Sequence, residues 1–180
     1  MEAGKIYFAR RNGGIFLKFT GHIRYTFQEL HRVSAALDAF LDHLFHEGGF
    51  EHVLIDMMEA ESIDSTNLGL LAKLALYMER EHNRQPTILS NNSGITETLQ
   101  LSGLDKVFVV LHDGEHANDE LALVPDIEVS EREMRQTMLE SHRTLMRLSE
   151  SNHEAFRDVV EVLERSLREK DGADDEDEDG

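Results

Sequence analysis

A chain of 180 residues, 40% of them hydrophobic, can bury one ordinary core and carry an extension, but two full domains would be a squeeze. Its net charge of −18 argues against a basic face for a phosphate backbone and disfavours anionic membranes, so no nucleic acid and no membrane is an expected partner. The absence of cysteine excludes a disulfide framework, a thiolate metal site and a catalytic thiol.

Met1 to Lys5 opens no secretory signal, because no apolar stretch with a basic prelude follows. Lys5–Arg10 and Ile15–Thr20 are β-prone runs flanking Arg11-Asn12-Gly13-Gly14, whose Asn-Gly step supplies the positive φ angles of a tight hairpin. Gly21 is expected to end the second strand. From Phe27 to Phe45, apolar residues at Leu30, Val33, Leu37, Phe40, Leu41, Leu44 and Phe45 form a helical stripe, closed by Gly48-Gly49. A strand is expected over Phe50–Met57, ending near the acid Asp56, followed by a short loop.

The segment Ile63-Asp64-Ser65-Thr66-Asn67-Leu68-Gly69 then opens an apolar helix that runs past Met78. Its longest apolar stretch, Leu68–Met78, is interrupted by Lys73 and falls short of the ~20 residues a bilayer helix needs, so a cytoplasmic protein is expected. Arg84-Gln85-Pro86 breaks the helix, and Thr87–Ser90 reads as a strand. Ser93 is a candidate N-cap for a helix over Ile95–Leu101, Gly103 stops it, and Val107–Leu111 reads as a last strand. The order β-β-α-β-α-β-α-β implies an α/β fold with a mainly parallel sheet begun by a hairpin.

Residues 112–128 read as a polar connector. Ser130-Glu131-Arg132-Glu133 has the pattern of a capping box, and residues 129–170 follow as a helix or helical hairpin with its weak point at Ser149-Glu150-Ser151-Asn152. Leu145, Leu148, Asn152, Ala155, Val159 and Val162 suggest a short seam, too short to name an oligomeric state. Residues 171–180 hold seven acids and no base and are expected to be a disordered tail.

Two stretches give the chain a recognisable likeness. Val53-Leu54-Ile55-Asp56 followed by Ile63–Gly69 resembles the signature of STAS domains, and more narrowly of bacterial anti-sigma factor antagonists, which usually read Asp-Ser-(Ser/Thr)-Gly-Leu-Gly. Leu99-Gln100-Leu101-Ser102-Gly103-Leu104-Asp105-Lys106-Val107-Phe108 resembles the family's second landmark. The match spans residues 4–111, within a STAS-like domain of residues 1–111. The C-terminal helix and acidic tail are similar to a longer proteobacterial subtype regulated by response-regulator phosphatases or kinases.

The resemblance implies that Ser65 is the phosphorylation site, with Thr66 secondary, on a partner-binding surface of Asp64, Ser65, Thr66, Asn67, Leu68 and Gly69. It implies an anti-sigma factor or serine kinase as partner and a PP2C-type phosphatase or response regulator as eraser. The unphosphorylated form would bind the anti-sigma or switch-kinase protein and so regulate sigma-factor-dependent transcription by partner switching. Asn67 departs from the family's Gly; if the position needs positive φ, Asn is the least costly replacement. A phosphate on Ser65 would add roughly −1.5 to −2 charge near Asp64, Glu59 and Glu61, opposing a docked partner.

Plainer readings compete. Asp64, Ser65, Thr66 and Asn67 are all good N-cap types, and the loop could be only a cap. Asp56 reads as a strand-end residue. His112, Asp113, Glu115 and His116, and the pair His43/His46, lack the pattern of a zinc site, so no metal or other cofactor is expected. Met134, Met138 and Met146 read as helix packing. No phosphate loop, nucleophile elbow or catalytic dyad is visible, so the chain is not expected to be an enzyme. The alternatives are a non-phosphorylated STAS scaffold or small-ligand sensor, and a histidine phosphotransfer protein using an exposed His142 or His153.

Overall fold

The computed structural model describes residues 4–24, 33–114, 120–125, 127 and 129–174. The start of the first helical stripe (Phe27, Leu30), the positions Glu115 and His116, and residues 175–180 lie outside them. The elements are β1 (Lys5–Arg11), β2 (Gly14–Ile23), α1 (Val33–Glu47), β3 (His52–Ile63), α2 (Ser65–His82), β4 (Thr87–Leu89) and α3 (Ser93–Leu101). A 3₁₀ turn (Leu104–Lys106), β5 (Val109–Leu111), β6 (Ala122–Leu123), α4 (Glu131–Met146) and α5 (Glu150–Asp174) complete the chain.

Asn12 and Gly13 both adopt positive φ (50° and 74°) and close the hairpin between β1 and β2. The sheet then runs in the order β5-β4-β3-β2-β1-β6, with β2, β3, β4 and β5 parallel neighbours and the two hairpin strands antiparallel. This is the mixed α/β architecture expected from the order of elements. Along β2, buried Ile15, Leu17 and Phe19 alternate with half-buried Phe16, Lys18 and Thr20. The buried set joins Leu37 and Leu41 of α1, Leu71 and Leu74 of α2, and Leu99 of α3 in one continuous core.

Several expected boundaries move. Gly21 does not end β2; the strand continues to Ile23, and Gly21 (φ 68°) lies at a register shift against β3. The expected loop after Met57 is strand as well. β3 runs to Ile63, pairing Glu59, Ala60, Ser62 and Ile63 with β2, so only Asp64 separates strand from helix. Asp56 is therefore a buried mid-strand residue whose Oδ1 accepts the Met58 amide proton (2.9 Å), rather than a strand-end acid. Asn92, not Ser93, caps α3, accepting from the Gly94 and Ile95 amides.

Residues 112–128 contain a strand that composition did not reveal: β6 pairs antiparallel with β1, Tyr7 opposite Leu123 and Phe8 opposite Ala122. Beyond it two helices, α4 and α5, pack side by side, and the chain turns over Arg147–Ser149. The seam drawn through both helices as one slips in phase at that turn. Val159 and Val162 are exposed, and the buried face of α5 runs instead through Asn152, Val160 and Leu163. Helix α5 also continues through Asp174, into the stretch expected to be a disordered tail.

Candidate functional site

Helix α2 begins at the end of β3 with Asp64 as its N-cap in extended backbone (φ −97°, ψ 172°). Asp64 Oδ1 accepts from the Asn67 amide (3.0 Å) and from the Asn67 side-chain Nδ2 (2.8 Å). The Asp64 amide donates to Ile23 O (3.1 Å), tying the cap to the end of β2. One carboxylate thus fixes the first turn, as N-cap chemistry predicts.

Asn67 does not need positive φ, so the condition attached to its departure from Gly does not arise. It sits inside the helix, fully buried, and among the described residues only Asn12 and Asn83 are non-glycine residues with positive φ. Its side chain bridges the Asp64 carboxylate and Ile23 O. The amide is a structural brace for the helix start.

Ser65 is the first helical residue and is half-buried. Its Oγ lies 2.9 Å from His142 Nε2 on α4. His142 Nδ1 lies 2.7 Å from the Met138 carbonyl oxygen. A carbonyl can only accept, so Nδ1 carries a proton and donates to Met138 O, while Nε2 is paired with the Ser65 hydroxyl. The far side of the imidazole meets Phe156 of α5 edge-on, centroids 5.4 Å apart. Sequence reasoning treated His142 as an exposed phosphotransfer candidate; it is 4% exposed and bonded on both ring nitrogens. His153 is exposed.

The other expected surface residues are covered. Thr66 is 3% exposed, and Asn67, Leu68 and Gly69 are buried. Leu68 belongs to the main core and Asn67 is turned to Asp64 and Ile23, whereas Gly69 is covered by α4, which packs along α2. The two helices approach closely at Gly69, where a Cβ would stand 2.3 Å from Ser141 O. Glu59 and Glu61, expected to lend charge beside Ser65, pair instead with Lys18 (2.6 Å) and His22 (3.1 Å).

A cleft of about 600 Å³ opens where α1, α2 and α4 meet, with Asp38, Asp42, Lys73 and Thr137 among its walls. Burial works against the Lys73 charge, yet Nζ donates to Asp38 (2.8 Å) and Asp42 (2.6 Å), and these bonds and charges hold its pKa above the ordinary value. Thr137 Oγ1 donates to the other Asp38 oxygen (2.9 Å), so the lysine, its acids and α4 form one polar cluster. Among the described residues no group of three His, Asp or Glu is arranged to hold a metal ion. No described helix is long and apolar enough to cross a membrane.

The hairpin-led, mainly parallel sheet with a serine opening the helix after its central strand has the STAS fold of anti-sigma factor antagonists. Two solved structures carry that comparison. The anti-sigma factor antagonist SpoIIAA in its unphosphorylated form is 13% identical, with 60% of this chain and 89% of that chain covered at a TM-score of 0.50. An anti-sigma factor antagonist from Mycobacterium paratuberculosis is 17% identical, with 62% and 87% covered at a TM-score of 0.51. Identities this low establish a shared fold. No protein-family model and no curated protein matches the chain.

Proposed function

We propose that this chain is a phosphorylation-switched antagonist of an anti-sigma factor or serine kinase, with Ser65 as the phosphorylated residue. One observation carries the reading: on the fold of anti-sigma factor antagonists, Ser65 is a half-buried hydroxyl at the first position of α2. The Thr66 hydroxyl is buried, which favours Ser65 over Thr66. A helix N-terminus favours a phosphate through its free amides and partial positive charge. The added charge, roughly −1.5 to −2, would oppose a partner docked on the same face, and release needs no change of fold. The unphosphorylated form binds the partner and frees a sigma factor; a PP2C-type phosphatase or response regulator resets the switch. In this reading the chain is a cytoplasmic bacterial regulator of transcription without catalysis of its own.

Incubation with the cognate kinase and ATP is expected to give one phosphopeptide spanning Ser65; stoichiometric phosphate elsewhere would overturn the site. Ser65→Ala is expected to keep partner binding, and Ser65→Glu to weaken it by at least about tenfold, which is ~1.4 kcal/mol. Equal affinities of the two variants in calorimetry would reject the switch. A scaffold with Ser65 as a mere cap would give that result.

A further inference from the structure

We infer that α4 and α5 form a detachable cover over the N-terminal face of α2, so that this chain carries its own competitor for the surface its partner needs. The inference rests on the proposed partner-docking role of that face, but the cover itself is a matter of geometry.

The cover is closed in this structure. Ser65 Oγ is engaged by His142, and the backbone of α4 at Ser141 rests directly on Gly69. A protein docking on α2 at Ser65 and Gly69, or a kinase aligning a phosphoryl group with Ser65 Oγ, would meet α4 first.

The cover is also built to leave as a unit. Leu139 of α4 and Val160 and Leu163 of α5 make an apolar cluster separate from the main core, with Met138, Met146 and Leu167 packed on it. Arg143 bridges Glu164 across the two helices (2.8 Å), and its pKa is raised chiefly by that bond. Arg135 also donates to Ser166. Against the sheet domain, by contrast, part of the hairpin's attachment is polar. Its bonds include Ser65 to His142, Thr137 to Asp38, and Asn152 Nδ2 to Ser102 O (2.8 Å). Leu145 is the α4 residue buried in the main core, with Leu148 and Phe156 packed at its margin. The Ser141 hydroxyl, buried at the α2–α4 contact, finds no hydrogen-bond partner there, which further weakens the closed state. Local opening of a self-contained helical pair is the expected low-energy motion of such a layout.

The absence of cysteine allows a direct test without any partner or kinase. In the full-length chain, S65C introduces the sole thiol, and its reaction with an aromatic disulfide reagent under native conditions reads access to the face. E97C, at an exposed site on α3, gives the open rate, and S90C, buried at the end of β4, reports global opening. The S65C thiol is expected to react at least about tenfold slower than that of E97C. Adding F156A or H142A is expected to raise the S65C rate about tenfold while S90C with the same change stays slow. Equal rates for S65C and E97C would overturn the cover. So would an unchanged S65C rate in both double variants, or a parallel rise in S90C. None of these outcomes depends on whether Ser65 is phosphorylated, so failure here is distinct from failure of the phosphoswitch.

Discussion

The sheet domain and the α4–α5 hairpin are held together by different forces. In the first, β2 and β3 pair over nearly their full length, and Ile55, Leu71 and Leu74 are sealed in an extended apolar core. In the second, a small cluster around Leu139, Val160 and Leu163 joins two helices, while contact with the rest combines Leu145, Leu148 and Phe156 with several side-chain hydrogen bonds. Apolar burial gives the sheet domain its cooperativity; a polar seam can be opened at lower cost because water replaces many of the bonds lost. The lesson is that the proposed docking face of α2 sits on the boundary between the sheet domain and the helical pair proposed to open.

The sharpest way to break that contrast is to injure each side with the same chemistry. Ile55→Ala, at the centre of β3, is expected to lower global stability by ~2–5 kcal/mol in urea unfolding. Leu163→Ala, in the hairpin cluster, is expected to leave the main transition much closer to wild type while accelerating amide exchange in α4 and α5. A Leu163→Ala loss as large as that of Ile55→Ala would mean one cooperative unit rather than two.

A smaller effect probes the boundary itself. Asp64→Ala removes the acceptor for two Asn67 donors and is expected to cost ~0.5–2 kcal/mol, with fraying at the first turn of α2 in amide exchange. A neutral result would show that the cap is dispensable once α4 holds the helix start from outside.

The smallest effect is a pH dependence confined to the hairpin. The Ser130 amide and hydroxyl both donate to Glu133, which holds the Glu133 carboxyl below its ordinary value of 4.5. A depressed folded pKa stabilises α4 above the unfolded value, and the benefit fades as pH falls through the folded pKa. The first turn of α4 is therefore expected to fray in acid before the sheet domain responds, as read by residue-resolved amide exchange. Glu133→Gln should flatten that dependence.

Much of the sheet domain was legible in the sequence because its signals are local. The Asn12-Gly13 turn, the Asp-Ser-Thr helix start and the stop at Gly103 each announce themselves through backbone chemistry. The second half of β3 was missed for a physical reason. β4 pairs only with Leu54–Asp56, so beyond that point β2 is the one strand paired with β3, which can carry Glu59, Glu61 and Ser62. A strand with one open edge reads as a loop. β6 was missed because two residues carry no periodicity and its pairing partner lies more than a hundred positions away.

The site was legible in part. Ser65 and Asp64 stood out as cap types, but nothing in the residues around His142 marked it as buried. The face that α4 turns to α2 is small and polar, with Ser141 and His142 adjoining Leu145, because it packs on a helix start rather than on a core. Asn67 was open for the opposite reason. A departure from a family glycine left unsettled whether the position needs positive φ, and the structure uses the amide as a brace in ordinary helical backbone.

The two-residue strand β6 has a kinetic and thermodynamic consequence out of proportion to its size. By pinning Ala122 and Leu123 to β1, with the Val124 amide also donating to Ile6 O, it leaves only a short leash to α4, which begins at Glu131. Short leashes set effective concentrations on the order of millimolar. In the proposed switch, a protein arriving from solution thus competes against a tethered rival, and its apparent affinity falls with the fraction of molecules already closed. Lengthening that leash by inserted Gly-Ser residues would dilute the rival without altering a single contact on either surface.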